Sequence, residues 1–263
     1  MLRLPRRSFL RLALSATGAG VVFQPSVEEA SPAEGMVALE GGLDSSTQIE
    51  ALAEWFRHHA VLKADMQVLV SSACVRYAIV PWQESRRSAD EAMLAKACLE
   101  HRYGSMAGWE IRLDTETYGG SRLACAVPSV WLGGLRALAD RFGLRCRDCL
   151  PLPVAVWNAW KPAADHSELI FALLEPDSVV FLTRRAGYWV SVHASRAAMN
   201  VPAFLLALQR EAIVQGFDEP PVSYVFAPHL AEELRRSPQE GIHLIGAEGQ
   251  GFNAEFLLAL AKM

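Results

Sequence analysis

No stretch of this 263-residue chain holds the ~18–20 consecutive apolar residues that a membrane-spanning helix requires. Cysteine is sparse. Five residues are an odd count without framework spacing, which excludes a disulfide scaffold and suits a reducing compartment. Neither sign of charge dominates: 25 Lys and Arg against 29 Asp and Glu leave a net charge of −4, which argues against a general nucleic-acid binder. Polar low-complexity sequence is missing too. With 51% of residues apolar and 21% charged, disorder, collagen and coiled coil are excluded. What is present is enough apolar sequence to bury a real core, in one large domain or two small ones.

The N-terminus has two readings. Pro5-Arg6-Arg7-Ser8-Phe9-Leu10-Arg11 has the form of a twin-arginine export signal, with Leu12 to Phe23 as its apolar region and Ser31-Pro32-Ala33 as a cleavage position. The same residues also form a β-hairpin pattern. Phe9, Leu10, Leu12 and Leu14 lead into Ala16-Thr17-Gly18, and Val21, Val22 and Phe23 return. Ser15, Thr17, Gly18 and Gly20 interrupt the apolar region, and acidic Glu28 and Glu29 sit beside the cleavage position. The hairpin is therefore expected, with twin-arginine export to the periplasm as the alternative.

Further along, a short strand is expected at Met36–Leu39. Asp44-Ser45-Ser46 can then cap a helix over Thr47–His59, whose Ile49, Leu52, Trp55 and Phe56 fall at helical spacing. Strands are expected at Met66–Val70 and Val75–Pro81, and Ser88 opens a helix with Met93, Leu94, Ala97 and Cys98 on its buried face. Trp109–Leu113 and Arg122–Val127 form a hairpin around Tyr118-Gly119-Gly120. A helix from Ser129 to Phe142, a strand at Leu144–Cys149 and a short helix at Val154–Trp160 follow.

The chain restarts at Asp165. Strands are expected at Leu169–Leu174, Ser178–Thr183 and Tyr188–His193, and then a helix from about Pro202 to Gln215 with Phe204, Leu205, Leu208, Ala212 and Ile213 inside. A strand at Val222–Phe226, a helix at His229–Arg236, a strand at Ile242–Ile245 and a closing helix at Asn253–Lys262 complete it.

In element order the second half is βββαβαβα. The first half has the same order interrupted by a small βαβ insertion. Three antiparallel strands followed by alternating helix and strand mean a mixed sheet flanked by helices. The expected fold is α/β, a duplicated ribonuclease H-like (actin-like) fold with two mixed sheets. The first subdomain spans 1–164, with its insertion at about 73–118, and the second spans 165–263. In this fold residues 8–24 are the first two strands of the first sheet, and cleaving them would leave it a raw edge.

The runs Val68-Leu69-Val70-Ser71-Ser72, Val75-Arg76-Tyr77 and Pro81-Trp82, then Arg122-Leu123-Ala124-Cys125-Ala126-Val127-Pro128, Leu135-Arg136 and Trp157-Asn158, carry a resemblance. With the element order, they resemble bacterial proteins related to the cytoplasmic domain of type II secretion protein L and to type IV pilus assembly protein M, over about residues 8–260. The resemblance implies an actin-like fold at the inner face of a cell envelope. It also implies an assembly role, with membrane-anchored pilus or secretion components as partners. Secretion protein L continues into a membrane helix and a periplasmic domain, and this chain is expected to carry neither.

The pilus protein of that resemblance binds a nucleotide, so the residues that would hold ATP and Mg²⁺ matter. The chemistry asks for a carboxylate and a glycine in the first strand-turn, so that backbone N–H groups can wrap a phosphate. Leu14-Ser15-Ala16-Thr17-Gly18 has hydroxyls and a glycine but no acid. The matching turn of the second half, Leu174-Glu175-Pro176-Asp177-Ser178, has acids but no glycine, and Pro176 deletes a donor. The late glycine pair that would let an adenosine approach the backbone is replaced by Phe226-Ala227-Pro228. If a nucleotide binds, Ser15, Thr17 and Gly18 hold it. An ordinary hairpin turn is the simpler reading.

Other motifs are weaker. Cys146-Arg147-Asp148-Cys149 lacks the second ligand pair of a zinc site and the βα context of a redox motif. His58-His59 suits a helix C-terminus, and Ser71-Ser72 lacks a G-x-S-x-G context. Gly246 to Gly251 resembles a phosphate loop but has no following Lys-Ser/Thr. Trp82, between a strand end and a polar stretch, is the candidate partner contact, because aromatics anchor binding hot spots. The expectation is a non-catalytic cytoplasmic scaffold for a pilus or type II secretion-like machine, with no catalytic residue, no metal site and no resident cofactor. An ATPase or kinase-like member with a divergent pocket is the enzymatic alternative.

Overall fold

The computed structural model describes residues 7–26, 32–39, 46–84, 88–115, 119–160, 166–196 and 199–245. Pro5, Arg6, Glu28, Glu29, Ser31, Asp44, Ser45, Tyr118, Asp165, the segment Gly246 to Gly251 and the helix expected at Asn253–Lys262 lie outside the described residues.

The first sheet is built from β1 (Ser8–Leu14), β2 (Gly18–Gln24), β3 (Ala33–Ala38), β4 (Ala64–Val70) and, far along the chain, β8 (Arg145–Pro151). Their spatial order is β3-β2-β1-β4-β8. The β1–β2 and β2–β3 pairs are antiparallel, and β1–β4 and β4–β8 are parallel. Register explains the apolar alternation. Phe23, Leu10 and Met66 form one cross-strand row, Val21, Leu12 and Val68 the next, and Ala19, Leu14 and Val70 a third. All nine are buried. Fully burying a leucine such as Leu12 stabilises the fold by roughly 1.5–3 kcal/mol. Residues 8–24, including the apolar region of the export-signal reading, are thus two strands in the interior of the sheet.

Two helices line the first unit, α1 (Ser46–His58) and α3 (Ser129–Phe142). They bury Leu52, Ala53 and Phe56 against Trp131, Leu135, Leu138 and Phe142, with Phe56 edge-on to Phe142 at 5.4 Å. Gly35 of β3 lies opposite Val21, and a Cβ there would meet the Trp55 indole at 3.2 Å, so α1 covers the Leu12 face.

The second sheet repeats the plan with β9 (Leu169–Glu175), β10 (Ser178–Arg185), β11 (Tyr188–Ser195), β12 (Val222–Phe226) and β13 (Ile242–Leu244), in the order β11-β10-β9-β12-β13. The senses match those of the first sheet pair by pair. Helices α5 (Val201–Val214) and α6 (Ala231–Arg236) share a core with it, made of Ile170, Ala172, Leu174, Phe181, Phe204, Leu208 and Leu234 among others. Asn200 caps α5 by accepting a hydrogen bond from Ala203 N at 2.9 Å.

A third sheet holds β5 (Arg76–Val80), β7 (Arg122–Pro128) and β6 (Trp109–Leu113), in the order β5-β7-β6, under α2 (Ser88–Tyr103). The inserted segment therefore has one strand more than the βαβ pattern expects. The strand expected at Arg122–Val127, outside the insertion placed at about 73–118 and so left to the first main sheet, runs Arg122–Pro128 and pairs with β5 instead, Ala78 opposite Ala124. The small side chains of that pair let α2 sit close, and this decides which face of α2 is buried. Ala95 and Leu99 are fully buried, whereas Met93, expected inside, is 64% exposed and Ala97 is exposed as well.

Two compact units result. One contains the described residues through Cys74 with Pro128–Leu152, and the other Val75–Val127 with the described residues from Pro153 on. The second includes most of α4 (Leu152–Trp160), whose Trp157 stands edge-on to Phe171 and Trp189. Inside this unit the edge strand β11 is covered by the inserted segment. Arg102 donates to Val192 O at 2.6 Å, and Ser121 donates to Trp189 O. Side chains thus occupy edge carbonyls that another strand could otherwise pair with.

Candidate functional site

The candidate phosphate turn joins β1 to β2, and its hydrogen bonds are internal. Ser15 N donates to Gly18 O at 2.8 Å, closing the hairpin. The Ser15 hydroxyl donates to the same carbonyl at 3.2 Å and accepts from Thr17 N at 3.3 Å and Gly18 N at 3.1 Å. The two N–H groups that could wrap a phosphate oxygen are therefore engaged by the turn's own side chain. Two more bonds anchor the turn from outside: Leu39 N donates to Thr17 O at 3.0 Å, and Gln48 Nε2 donates to Ala16 O at 3.1 Å. Thr17 is exposed, Ser15 half-buried and Gly18 buried.

Gln48 went unrecognised in the sequence. It sits in the first turn of α1, 1% exposed, and its Oε1 has no hydrogen-bond partner. Burying half an amide without a partner costs free energy. Its other half holds the β1–β2 turn against α1.

The matching turn of the second half is the β9–β10 hairpin. Glu175 is 3% exposed and accepts from Ser178 Oγ at 3.2 Å, while Pro176 and Asp177 form the exposed tip. Its buried carboxylate is committed inside the turn. After β12, Phe226, Ala227 and Pro228 are all buried, and Leu230 N donates to Ala227 O at 3.0 Å. Side chains fill the place where a glycine pair would have left the backbone open.

Trp82 is half-buried, just past β5, between exposed Pro81 and exposed Gln83. Ser71 is buried, and its hydroxyl accepts from Ala73 N at 3.3 Å, a local turn rather than a nucleophile awaiting a base. His59 stacks on Trp55 at 4.0 Å, with its Nδ1 2.9 Å from the Trp55 carbonyl, closing the end of α1. On β8 a bulge sets Arg147 aside between Cys146 and Asp148. Burial, with Asp148 adding to it, pushes the Cys146 thiol up and makes it a poorer nucleophile. Among the described residues, no three His, Cys, Asp or Glu side chains group as metal ligands.

One polar cluster was missed by sequence reasoning. Glu211 of α5 is 4% exposed and accepts from Gln215 Nε2 at 2.9 Å, from Thr183 Oγ1 at 3.5 Å and, with the proton on that nitrogen, from His193 Nδ1 at 3.1 Å. Gln215 also donates to Ser191 Oγ at 3.0 Å. A signal existed. Phe204, Leu208, Glu211, Ala212 and Gln215 fall on one helical stripe, so the buried line runs through Glu211. It bypasses Ile213, expected inside but 75% exposed.

Comparison with known protein families gives no match, and neither does comparison with characterised proteins. Solved structures do match, along nearly the whole chain. A Bacteroides thetaiotaomicron protein with an actin-like ATPase fold and unknown function aligns over 98% of this chain and 97% of its own, at TM-score 0.58 and 11% identity. The cytoplasmic domain of EpsL, an inner-membrane component of the type II secretion system of Vibrio cholerae, aligns over 97% and 94%, at TM-score 0.56 and 16% identity. The PilM–PilN type IV pilus biogenesis complex aligns over 99% and 95%, at TM-score 0.61 and 13% identity. Identities this low speak to architecture, and with the repeated strand order they make the chain a duplicated ribonuclease H-like protein of the actin-like fold.

Proposed function

We propose that this protein is a non-catalytic scaffold of a type IV pilus or type II secretion-like machine, working at the cytoplasmic face of the inner membrane by docking a membrane-anchored partner. The observation that carries the reading is the end-to-end likeness to the EpsL cytoplasmic domain and to the PilM–PilN complex. No described helix is long and apolar enough to cross a membrane. The interior position of β1 and β2 favours retention of residues 8–24 over their removal with an export signal.

The non-catalytic part rests on the turns. An ATP cycle needs amides free for phosphate and a carboxylate available to Mg²⁺. Ser15 Oγ occupies the amides of Thr17 and Gly18, and Glu175 is buried on Ser178. Trp82 is the proposed partner contact.

Two measurements test this. ATP with Mg²⁺ is expected to leave the melting temperature unchanged, because a ligand stabilises only the folded state it binds. A rise that scales with ATP concentration would replace this reading with a nucleotide-binding one. The tagged full chain should retain a single-span inner-membrane protein from detergent-solubilised membranes, and Trp82→Ala should release it. Retention unaffected by Trp82→Ala would remove Trp82 from the interface.

A further inference from the structure

The second sheet ends on β13, and the side of β13 away from β12 has no strand beside it among the described residues. Register fixes which backbone groups face that side. Ser223 N donates to Gly241 O at 2.8 Å and Ile245 N donates to Val225 O at 2.9 Å, so Gly241, His243 and Ile245 bond towards β12. The peptide groups of Ile242 and Leu244 therefore point the other way. Ile242 N donates to Gln239 O at 3.3 Å. Ile242 O and Leu244 N are left facing outward, and one residue of an added parallel strand would donate to the first and accept from the second.

A groove of about 410 Å³ runs along the same side, lined by Leu234 and Arg235 of α6, Ser237, Gln239, Ile242 and Leu244 among others. Leu234 belongs to the core of this unit, and half-buried Ile242 and Leu244 pack against that core. The groove is thus an open margin of the core. Other sheet ends are guarded. Exposed Arg145, Arg147 and Asp148 and a bulge protect β8, which holds the matching place in the first sheet. Arg102 and Ser121 occupy carbonyls of β11 at the opposite end of the second sheet. β13 has no Asp, Glu, Lys or Arg. Its shortness blunts it as an edge, but shortness does not account for a groove lined by core side chains beside it.

We propose that the free side of β13 is a docking edge for an extended segment of a partner protein, added as a strand parallel to β13. The residue that makes the two bonds would lie opposite His243, on the face where His243 stacks on Tyr224. Its two neighbours would point to the other face, into the groove beside Ile242 and Leu244, so both are apolar. Main-chain bonds then supply affinity and the groove supplies specificity. Charge does not select the partner. Glu232, Glu233, Arg235 and Arg236 balance on α6, with Glu232 and Arg236 paired at 2.7 Å, and Glu240 lies in the next turn. A second copy of this chain fits less well. Antiparallel pairing of two β13 strands about His243 would need Ile242 N for Leu244 O of the other copy, and Ile242 N is already bonded. Three residues also bury far less than the about 800 Å² a side of a standard interface. The inference does not depend on the scaffold reading or on Trp82.

The test is amide hydrogen exchange on the full chain, read by NMR, with and without peptide. In the free chain Ile245 N–H should exchange slowly and its neighbour Leu244 N–H quickly. The probe is a peptide selected on the full chain from a displayed library of random heptapeptides. Selected sequences should carry two apolar residues separated by one, and the synthetic peptide should slow Leu244 N–H. Leu244→Pro removes the outward donor at a position where an edge strand tolerates proline. Ser237→Trp, at an exposed position, fills the groove and keeps the test valid if Leu244→Pro does not fold. Each should weaken the peptide by about tenfold. Arg210→Ser, on α5, should leave its affinity unaltered. Leu244 N–H as slow as Ile245 N–H in the free chain would overturn the proposal, in favour of a second copy if dilution speeds it and of the chain's own residues if it does not. So would a selection that returns no binder, or peptides that leave Leu244 N–H unchanged, keep full affinity for both variants, or weaken equally with Arg210→Ser.

Discussion

Adjacent glycines in α3 should respond oppositely to the same substitution. Gly133 and Gly134 both lie in the helix interior, where alanine is favoured over glycine by about 0.8–1 kcal/mol. A Cβ on Gly133 meets nothing within 4 Å, so Gly133→Ala should stabilise the first unit by about 1 kcal/mol. A Cβ on Gly134 would sit 2.8 Å from Ile49 Cγ1 and 3.0 Å from Ile49 Cδ1, inside van der Waals contact. Ile49 is β-branched and on a helix, so its χ1 has little freedom to yield. Overpacking of this kind costs about 1–3 kcal/mol. Set against the propensity gain, Gly134→Ala should lose up to about 2 kcal/mol. Ile49→Ala deletes both clashing atoms, so in that background Gly134→Ala should turn into a gain. Urea unfolding gives the free energies, and hydrogen exchange of the α3 amides localises them to this unit. If both glycine substitutions stabilise, or if Ile49→Ala leaves the sign of Gly134→Ala unchanged, the close approach of α1 and α3 described above is wrong.

Two further perturbations probe charges. The hydrogen bond from Arg147, aided by Arg7, holds the Asp65 carboxyl below its usual range. A depressed folded value means that the unfolded chain takes up the proton first. The contribution is therefore present above roughly pH 4 and lost as pH falls through the folded value, so wild type and Asp65→Asn should differ in melting temperature at neutral pH and converge in acid. Glu211→Leu should cost about 1–3 kcal/mol in urea unfolding, because fully buried Thr183 loses its acceptor while Gln215 keeps Ser191. Adding Thr183→Val should recover most of that loss, and strictly additive losses would refute the account.

The two main sheets were legible because strand alternation and helical spacing are properties of short windows, and the element order then leaves few topologies. Leu10, Leu12 and Leu14 stand at period two, and their burial follows from it. The errors came where neighbours in space decide. Arg122–Pro128 alternates well enough for either sheet, and only the fit of Ala124 against Ala78 beneath Ala95 assigns it to the third. On α2, alanines at 92, 95 and 97 leave several stripes nearly equivalent, so the face is chosen by the sheet it meets rather than by its own periodicity.

The candidate site was legible in a different sense. The sequence shows that the first turn has hydroxyls and no acid, which leaves open whether those hydroxyls face a ligand or the backbone. That depends on a rotamer. Ser15 Oγ lies close enough to bond Thr17 N, Gly18 N and Gly18 O at once, so the hydroxyl that makes the turn look like a phosphate loop is also what closes it. Ser15→Gly would release both amides, although the turn would still lack an acid for a metal. In this chain one side chain both closes the hairpin and engages the two amides that a phosphate would need, which is why the melting-temperature test with ATP bears directly on this turn.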